Sequence, residues 1–186
     1  MQIWQNIAAH TVSARVVYKN EPHSRVCQLA RYKRIYVIKR YLKSEHWVAK
    51  IKRLLGQDRV SRNIRHARAL ADCAIPTFSV VAHIEDKTHQ YLIASYISGP
   101  SALALFKPDA KLKNWRQAAE ALVALFFALY QADYYYRDWN FSNFIYHAQA
   151  FYLVDLDALQ KTTEKTKAYW YARAKQRFFD NWNISG

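Results

Sequence analysis

Polar and apolar positions change period partway along the chain. Ala14–Tyr18 and Arg25–Leu29 have the short β-rich pattern of strands, and Asn20-Glu21-Pro22-His23-Ser24 between them is a turn. Arg34–Tyr41 is a third strand, with Ile35, Val37 and Tyr41 on one face. Helical spacing runs from Ser44 to Leu55 and again from Val60 to Cys73, with a break near Gly56, and Ile75-Pro76 ends that segment. Thr77–Ile84 and His89–Tyr96 form a hairpin around Glu85-Asp86-Lys87, and Ser98-Gly99-Pro100 punctuates the chain. Trp115, Ala118, Ala119, Leu122, Phe126 and Leu129 then follow the 3.6-residue period, which predicts a helix over Asn114–Gln131. An aromatic loop follows, then short strands at Phe144–Tyr146 and Phe151–Val154, and an amphipathic helix over Thr163–Trp182. The pattern predicts an α+β chain in two parts: residues 1–98, a sheet with a helical insertion, and residues 99–186, mostly helical.

Composition removes several classes. Hydrophobic residues are 52% of 186, too many for a disordered tail, and three glycines with four prolines exclude collagen-like sequence. The longest apolar run, Ala121–Leu129, is too short to cross ~30 Å of hydrocarbon. The N-terminus has no basic segment followed by an apolar one, so no signal peptide is expected. Cys27 and Cys73 are far apart, which argues against a disulfide framework and for a reducing, cytoplasmic setting. No cysteine or histidine spacing suits structural zinc.

Charge narrows the partners. From Arg31 to Arg68 there are 13 Lys/Arg and only two acids, Glu45 and Asp58, a local +11 within a total of +14. Arg59, Arg62, Arg65 and Arg68 recur at every third position. An excess this lopsided predicts a surface that meets an anion: a phosphorylated sugar, an acidic lipid surface or a nucleic acid.

Three polar residues in the second half carry chemistry. Asp138 sits in Tyr136-Arg137-Asp138-Trp139-Asn140-Phe141-Ser142-Asn143, Asn143 follows it by five residues, and Asp155 leaves the apolar strand Phe151–Val154. This is the order of a kinase catalytic segment. A loop-borne Asp138 can orient or deprotonate an acceptor hydroxyl. Asn143 and Asp155 offer the oxygen ligands that Mg²⁺ prefers. Upstream, Tyr36-Val37-Ile38-Lys39 ends a strand in the V-A-I-K manner, with Lys39 placed to meet nucleotide phosphates. Ser95-Tyr96-Ile97-Ser98 falls where a hinge would meet adenine.

On these residues the chain resembles the lipopolysaccharide kinase family, the small kinase-like enzymes that phosphorylate Kdo or heptose of the inner core. Leu129-Tyr130-Gln131-Ala132-Asp133-Tyr134-Tyr135-Tyr136-Arg137-Asp138 is similar to that family's L-H-x-x-G-x-x-H-x-D, and Leu153-Val154-Asp155-Leu156-Asp157 to its L-I-D-F-D. Leu70-Ala71-Asp72-Cys73-Ala74-Ile75-Pro76-Thr77 resembles its L-x-x-x-G-I-P-T, and Ser61-Arg62 the S-R that opens the same helix. The likeness runs from about Val16 to Leu159. It implies a two-lobed protein-kinase-like fold and an ATP- and Mg²⁺-dependent transfer to a sugar hydroxyl.

The sequence also departs from the family. Tyr136 replaces the loop histidine. No glycine lies between Val12 and Leu55, so the Asn20–Ser24 turn would cover the phosphates with its backbone and with Ser24 or Arg25. The helix glutamate expected to pair with Lys39 is missing; Asn63 stands near its register, and Glu45 or Asp58 could substitute only from outside it. Only 31 residues follow Asp155, with no A-P-E segment, which disfavours a peptide substrate.

The leading reading is therefore a kinase for an anionic glycolipid or sugar acceptor, cytoplasmic or peripheral on the inner face of a bacterial inner membrane. The alternative is a catalytically degenerate kinase-like scaffold, and a nucleic-acid-binding protein is less favoured. Trp139 and Phe141 either pack the catalytic loop or form a wall on which a sugar ring stacks.

Overall fold

The structure, a computed structural model, describes residues 16–21, 24–31, 33–107 and 115–185. Pro22 and His23 of the expected phosphate-covering turn lie outside the described residues, as do Ala14 and Asn114. The chain forms two units, one drawn from Met1–Ala67 and Phe78–Tyr96, the other from Arg68–Thr77 and Ile97–Gly186.

The first unit is built on an antiparallel sheet of five strands in the order β1-β2-β3-β5-β4. The strands are β1 Val16–Glu21, β2 Ser24–Arg31, β3 Arg34–Leu42, β4 Val80–Glu85 and β5 His89–Ser95. Between β3 and β4 come two helices, α1 Trp47–Leu54 and α2 Arg59–Asp72, separated by a turn in which Gly56 has φ 63°. Asp58 starts α2 by accepting from the backbone N–H groups of Val60 (3.0 Å) and Ser61 (3.1 Å) and from the Ser61 hydroxyl (2.6 Å).

Ile35, Val37 and Tyr41 share one face of β3, as expected, but burial does not follow that face. Ile35 is exposed and Ile38 is fully buried, in a cluster with Cys27, Tyr91 and Ile93. Tyr41 and Lys39, of the opposite parity, are buried too. The middle of the strand is covered on both faces, Ile38 by that cluster and Lys39 and Tyr41 by Phe78 and Arg59, so alternation fails there.

The second unit contains α3 Ala102–Leu105, α4 Trp115–Gln131 and α5 Glu164–Ser185. The buried face of α4 is Ala118, Leu122, Leu125, Phe126 and Leu129, as the helical period predicts. Two small antiparallel ladders complete the unit: β6 Tyr134–Tyr136 with β9 Leu159–Lys161, and β7 Phe144–His147 with β8 Ala150–Leu153.

Ala74 (φ 56°) and Asp133 (φ 60°) lie in the left-handed region, at the two positions where the patterns quoted above have glycine. Ala74 closes α2: its N–H donates to Ala71 O (2.9 Å) and the Ile75 N–H to Leu70 O (2.8 Å), the bonds of a left-handed helix terminus.

Candidate active site

The expected site residues divide between the units: Ser24, Arg25, Lys39, Ser95 and Tyr96 lie in the first, and Ile97, Asp138, Asn143 and Asp155 in the second.

Lys39 is buried mid-strand, paired across the sheet with Val26 of β2 and Leu92 of β5. Its ammonium stands 5.2 Å from the centre of the Phe78 ring, a cation–π contact. Ser24 and Arg25 open β2, opposite Tyr41 and Arg40. Ser24 is buried, and Arg25 Nε is buried without a hydrogen-bond partner among the described residues. The two acids considered as partners for Lys39 are engaged elsewhere: Asp58 caps α2, and Glu45 pairs with Lys50 at 3.1 Å. Asn63 is fully buried, its side-chain N–H donating to Arg59 O at 2.9 Å.

The expected hinge falls where the chain passes from one unit to the other, between Tyr96 and Ile97. Ser95 is fastened to Ser79 by two bonds of 2.9 Å, one through its hydroxyl and one through its N–H. The Tyr96 N–H donates to Ile35 O at 3.3 Å.

In the second unit Asn143 meets Asp138 and Tyr136 through its amide and Val154, next to Asp155, through its carbonyl. Tyr136 ends β6 and is buried, and a turn carries the chain through exposed Asp138 into a short 3₁₀ segment, Phe141–Asn143. Asn140 holds that turn, accepting from the Ser142 N–H (3.0 Å) and hydroxyl (2.8 Å). Asn143 Nδ2 donates to Tyr136 Oη at 2.9 Å and, at 3.4 Å, to Asp138 Oδ2. Both amide hydrogens are thus used, and the acceptor Oδ1 has no hydrogen bond among the described residues. The backbone bond from Val154 N to Asn143 O (3.0 Å) sets Asn143 beside the exit of β8, one residue before Asp155. Asp155 accepts the Asp157 N–H on Oδ1 at 3.1 Å, with Oδ2 left without such a bond among the described residues. Burial pushes the Tyr136 phenol well above its ordinary pKa, and the charges of Asp155 and Asp138 push it further. The neutral phenol is therefore a fixed post within reach of both carboxylate fields.

Two supports were not legible from spacing. Thr77 Oγ1 donates to Leu153 O (2.7 Å), and Leu153 N donates to Pro76 O (3.1 Å), so the I-P-T segment grips the strand that delivers Asp155. Arg177, on α5, donates from Nη1 to Arg137 O, immediately before Asp138. The first contact had a signal, the Ile75-Pro76-Thr77 motif; the second had none, because 40 residues separate the partners.

Trp139 and Phe141 resolve the other way from a sugar-stacking wall. Both are buried: Trp139 stacks on Phe144 at 5.1 Å and packs on Phe126 and Phe178, while Phe141 packs on Phe106 and Phe178. They bind the catalytic loop to the helices of its own unit.

The donor set of the loop suits a hard cation, since it offers one amide oxygen and one carboxylate oxygen with their other atoms already committed. Among the described residues no group of three or more His, Cys, Asp or Glu is placed to hold a metal ion.

No protein-family model matches the chain, and no curated protein matches it. Among solved structures it is similar to WaaP in complex with acyl carrier protein, with a TM-score of 0.66 and 15% identity, covering 100% of this chain and 79% of that one. At that identity the likeness carries the fold: this chain has an α+β, protein-kinase-like fold. No helix among the described residues is long and apolar enough to cross a membrane.

Proposed function

We propose that the protein is an ATP- and Mg²⁺-dependent kinase acting on a sugar hydroxyl of an anionic glycolipid, Kdo or heptose of the lipopolysaccharide inner core being the acceptor. The observation that carries the reading is Asn143, whose amide meets Tyr136 and Asp138 and whose carbonyl holds Val154 next to Asp155, on a kinase-like fold.

Each residue has a role in that reaction. Asp138 is exposed and among the described residues holds only two long bonds, 3.3 Å from Asn140 N and 3.4 Å from Asn143 Nδ2, so its carboxylate has room for an acceptor hydroxyl. It orients that hydroxyl and takes its proton as the new oxygen–phosphorus bond forms and the bond to the nucleoside diphosphate breaks. Asn143 Oδ1 and Asp155 hold the cation, which when bound offsets the charge of the nucleotide phosphates. Lys39 adds a second positive charge for those phosphates. Ser24 and Arg25 cover them in place of a glycine loop, and the backbone around Ser95, Tyr96 and Ile97 meets the adenine.

The test is the melting temperature with Mg²⁺ and a non-hydrolysable ATP analogue, on the wild type and on Asp155→Ala. Ligand at one hundred times its Kd stabilises by about 2.7 kcal/mol. A magnesium-dependent shift that Asp155→Ala abolishes supports the reading, and phosphate transfer to a core-sugar acceptor that Asp138→Ala abolishes completes it. No shift in the wild type overturns it. A shift without transfer to any sugar favours the degenerate scaffold, which the glycine-free turn and the engagement of Glu45 and Asp58 elsewhere also support.

A further inference from the structure

Helix α1 is inside out for a helix in a soluble protein. None of its residues is buried. Its apolar side chains Trp47, Ile51 and Leu54, with Leu55 just beyond, are 66%, 44%, 87% and 63% exposed. Spacings of four, three and one place them on a single helix face, and that face is turned to water. Lys50 and Lys52 flank the stripe on its two sides and are both exposed. Arg53 lies on the opposite face, half-buried, its guanidinium reaching Ser44 O at 3.5 Å. The turn that follows is open on its outer side, with no atom within 4 Å of where a Gly56 side chain would begin.

The surroundings are basic. The stretch from Arg31 to Arg68 has 13 Lys/Arg against two acids, exposed Arg62 and Arg65 of α2 among them. Of the two acids, Asp58 is committed to the cap of α2 and Glu45 forms a solvent-exposed pair with Lys50 at 3.1 Å.

We infer that α1 is a docking element that lies in the plane of an anionic lipid surface, with Trp47, Ile51, Leu54 and Leu55 at the boundary of headgroups and acyl chains and Lys50 and Lys52 reaching the headgroup phosphates. The charge attracts many anions, but only a lipid surface also takes up an aliphatic stripe. Lysines on the flanks are where their stems can run along the apolar layer and their ammonium groups return to the phosphates. A nucleic acid has charge for the lysines and no place for Leu54 and Leu55. The inference deepens the glycolipid reading and rests on it for its purpose, since it would bring the enzyme to an acceptor embedded in a bilayer. Its test uses neither nucleotide nor sugar, so lipid docking and kinase activity can fail separately.

The test is flotation of the full chain with phosphatidylcholine vesicles with and without phosphatidylglycerol. The wild type is expected to float with the anionic vesicles alone and to be released by salt. The double variant Leu54→Asp/Leu55→Asp is expected to bind on the order of tenfold more weakly or worse, with an unchanged melting temperature, since both side chains lie outside the core. A second readout is an environment-sensitive fluorophore on Leu54→Cys in a Cys73→Ser background, which leaves Cys27, a buried thiol, as the other cysteine. A blue shift with anionic vesicles supports the inference. Failure of the wild type to bind them, equal binding by the double variant, or a shift that appears without lipid, marking the stripe as covered by protein, each overturns it.

Discussion

Asn143 Nδ2 donates to the buried Tyr136 phenol at 2.9 Å, so a tyrosine of the same loop holds the amide expected to ligate magnesium. Tyr136→Phe tests this. The ring should keep its edge contacts with Trp139 (5.8 Å) and Phe144 (5.6 Å), so the fold should survive. The amide loses its short partner and keeps only the 3.4 Å contact with Asp138. We expect a loss of about 1–2 kcal/mol in stability and a higher magnesium midpoint for the nucleotide-induced rise in melting temperature. An unchanged midpoint would show that Asn143 is oriented by something else.

Ala74 is held at φ 56° at the end of α2, where the resembling family has glycine. A side chain in the left-handed region costs about 1–2 kcal/mol, and glycine also adds freedom to the unfolded chain. The first effect is larger, so Ala74→Gly should stabilise, by about 1 kcal/mol, and raise the melting temperature by roughly 2–4 °C for a chain this size. A fall would mean that the methyl group packs more usefully than its exposure suggests.

Gly99 behaves oppositely. A side chain there would start 2.0 Å from Tyr146 O, a backbone atom, at φ 152°. The neighbouring contacts, Tyr146 N to Pro100 O at 2.9 Å and the Ser101–Ile145 bridge, fix that approach. Gly99→Ala must therefore push the segment off β7. It should destabilise by at least about 2 kcal/mol, seen in urea unfolding, and the β7–β8 hairpin that leads to Asp155 should lose amide-exchange protection first. Wild-type stability in this variant would contradict the close approach.

The loop and hairpin that carry Asp138, Asn143 and Asp155 were legible because these residues are separated by short local elements whose lengths are fixed by hydrogen bonds within about twenty residues. The strands β6 and β9 were not, since each has three residues and the pairing of Tyr136 with Leu159 is long-range. Burial along β3 was not legible because its middle is covered on both faces, by the Ile38 cluster and by Phe78 and Arg59, so alternation carries no signal there. Trp139 and Phe141 show a different limit. Their place in the loop left packing and ligand contact equally open, and only their burial decides it. The family glycines were hidden for a third reason: Ala74 and Asp133 adopt the glycine conformation without the glycine. Asp133 adds a bond of its own there, accepting from Lys167 Nζ on α5.

The β4–β5 turn predicts a pH profile at both ends. Burial alone would raise the Asp86 pKa, but donors outweigh it: the N–H groups of His89 (2.7 Å) and Thr88 (2.7 Å), the Tyr91 hydroxyl (2.8 Å) and the Thr88 hydroxyl (3.1 Å) hold it down at about 2. A carboxyl held low in the fold stabilises above its unfolded pKa of 3.8, and that contribution is lost as pH falls from there toward about 2. Tyr91 is the mirror case. Burial, and then its hydrogen bond to Asp86, raise it from 10.0 to about 12, so its contribution is whole below pH 10 and lost as pH climbs toward 12. Tyr136, also raised, adds to the same alkaline loss. In Asp86→Asn the acid loss of stability should become shallower, and tyrosinate absorbance should show one group titrating closer to 10. Urea unfolding across the acid range checks the first outcome and an absorbance titration of the folded protein the second; an acid limb as steep as the wild type's would mean that other carboxylates set it.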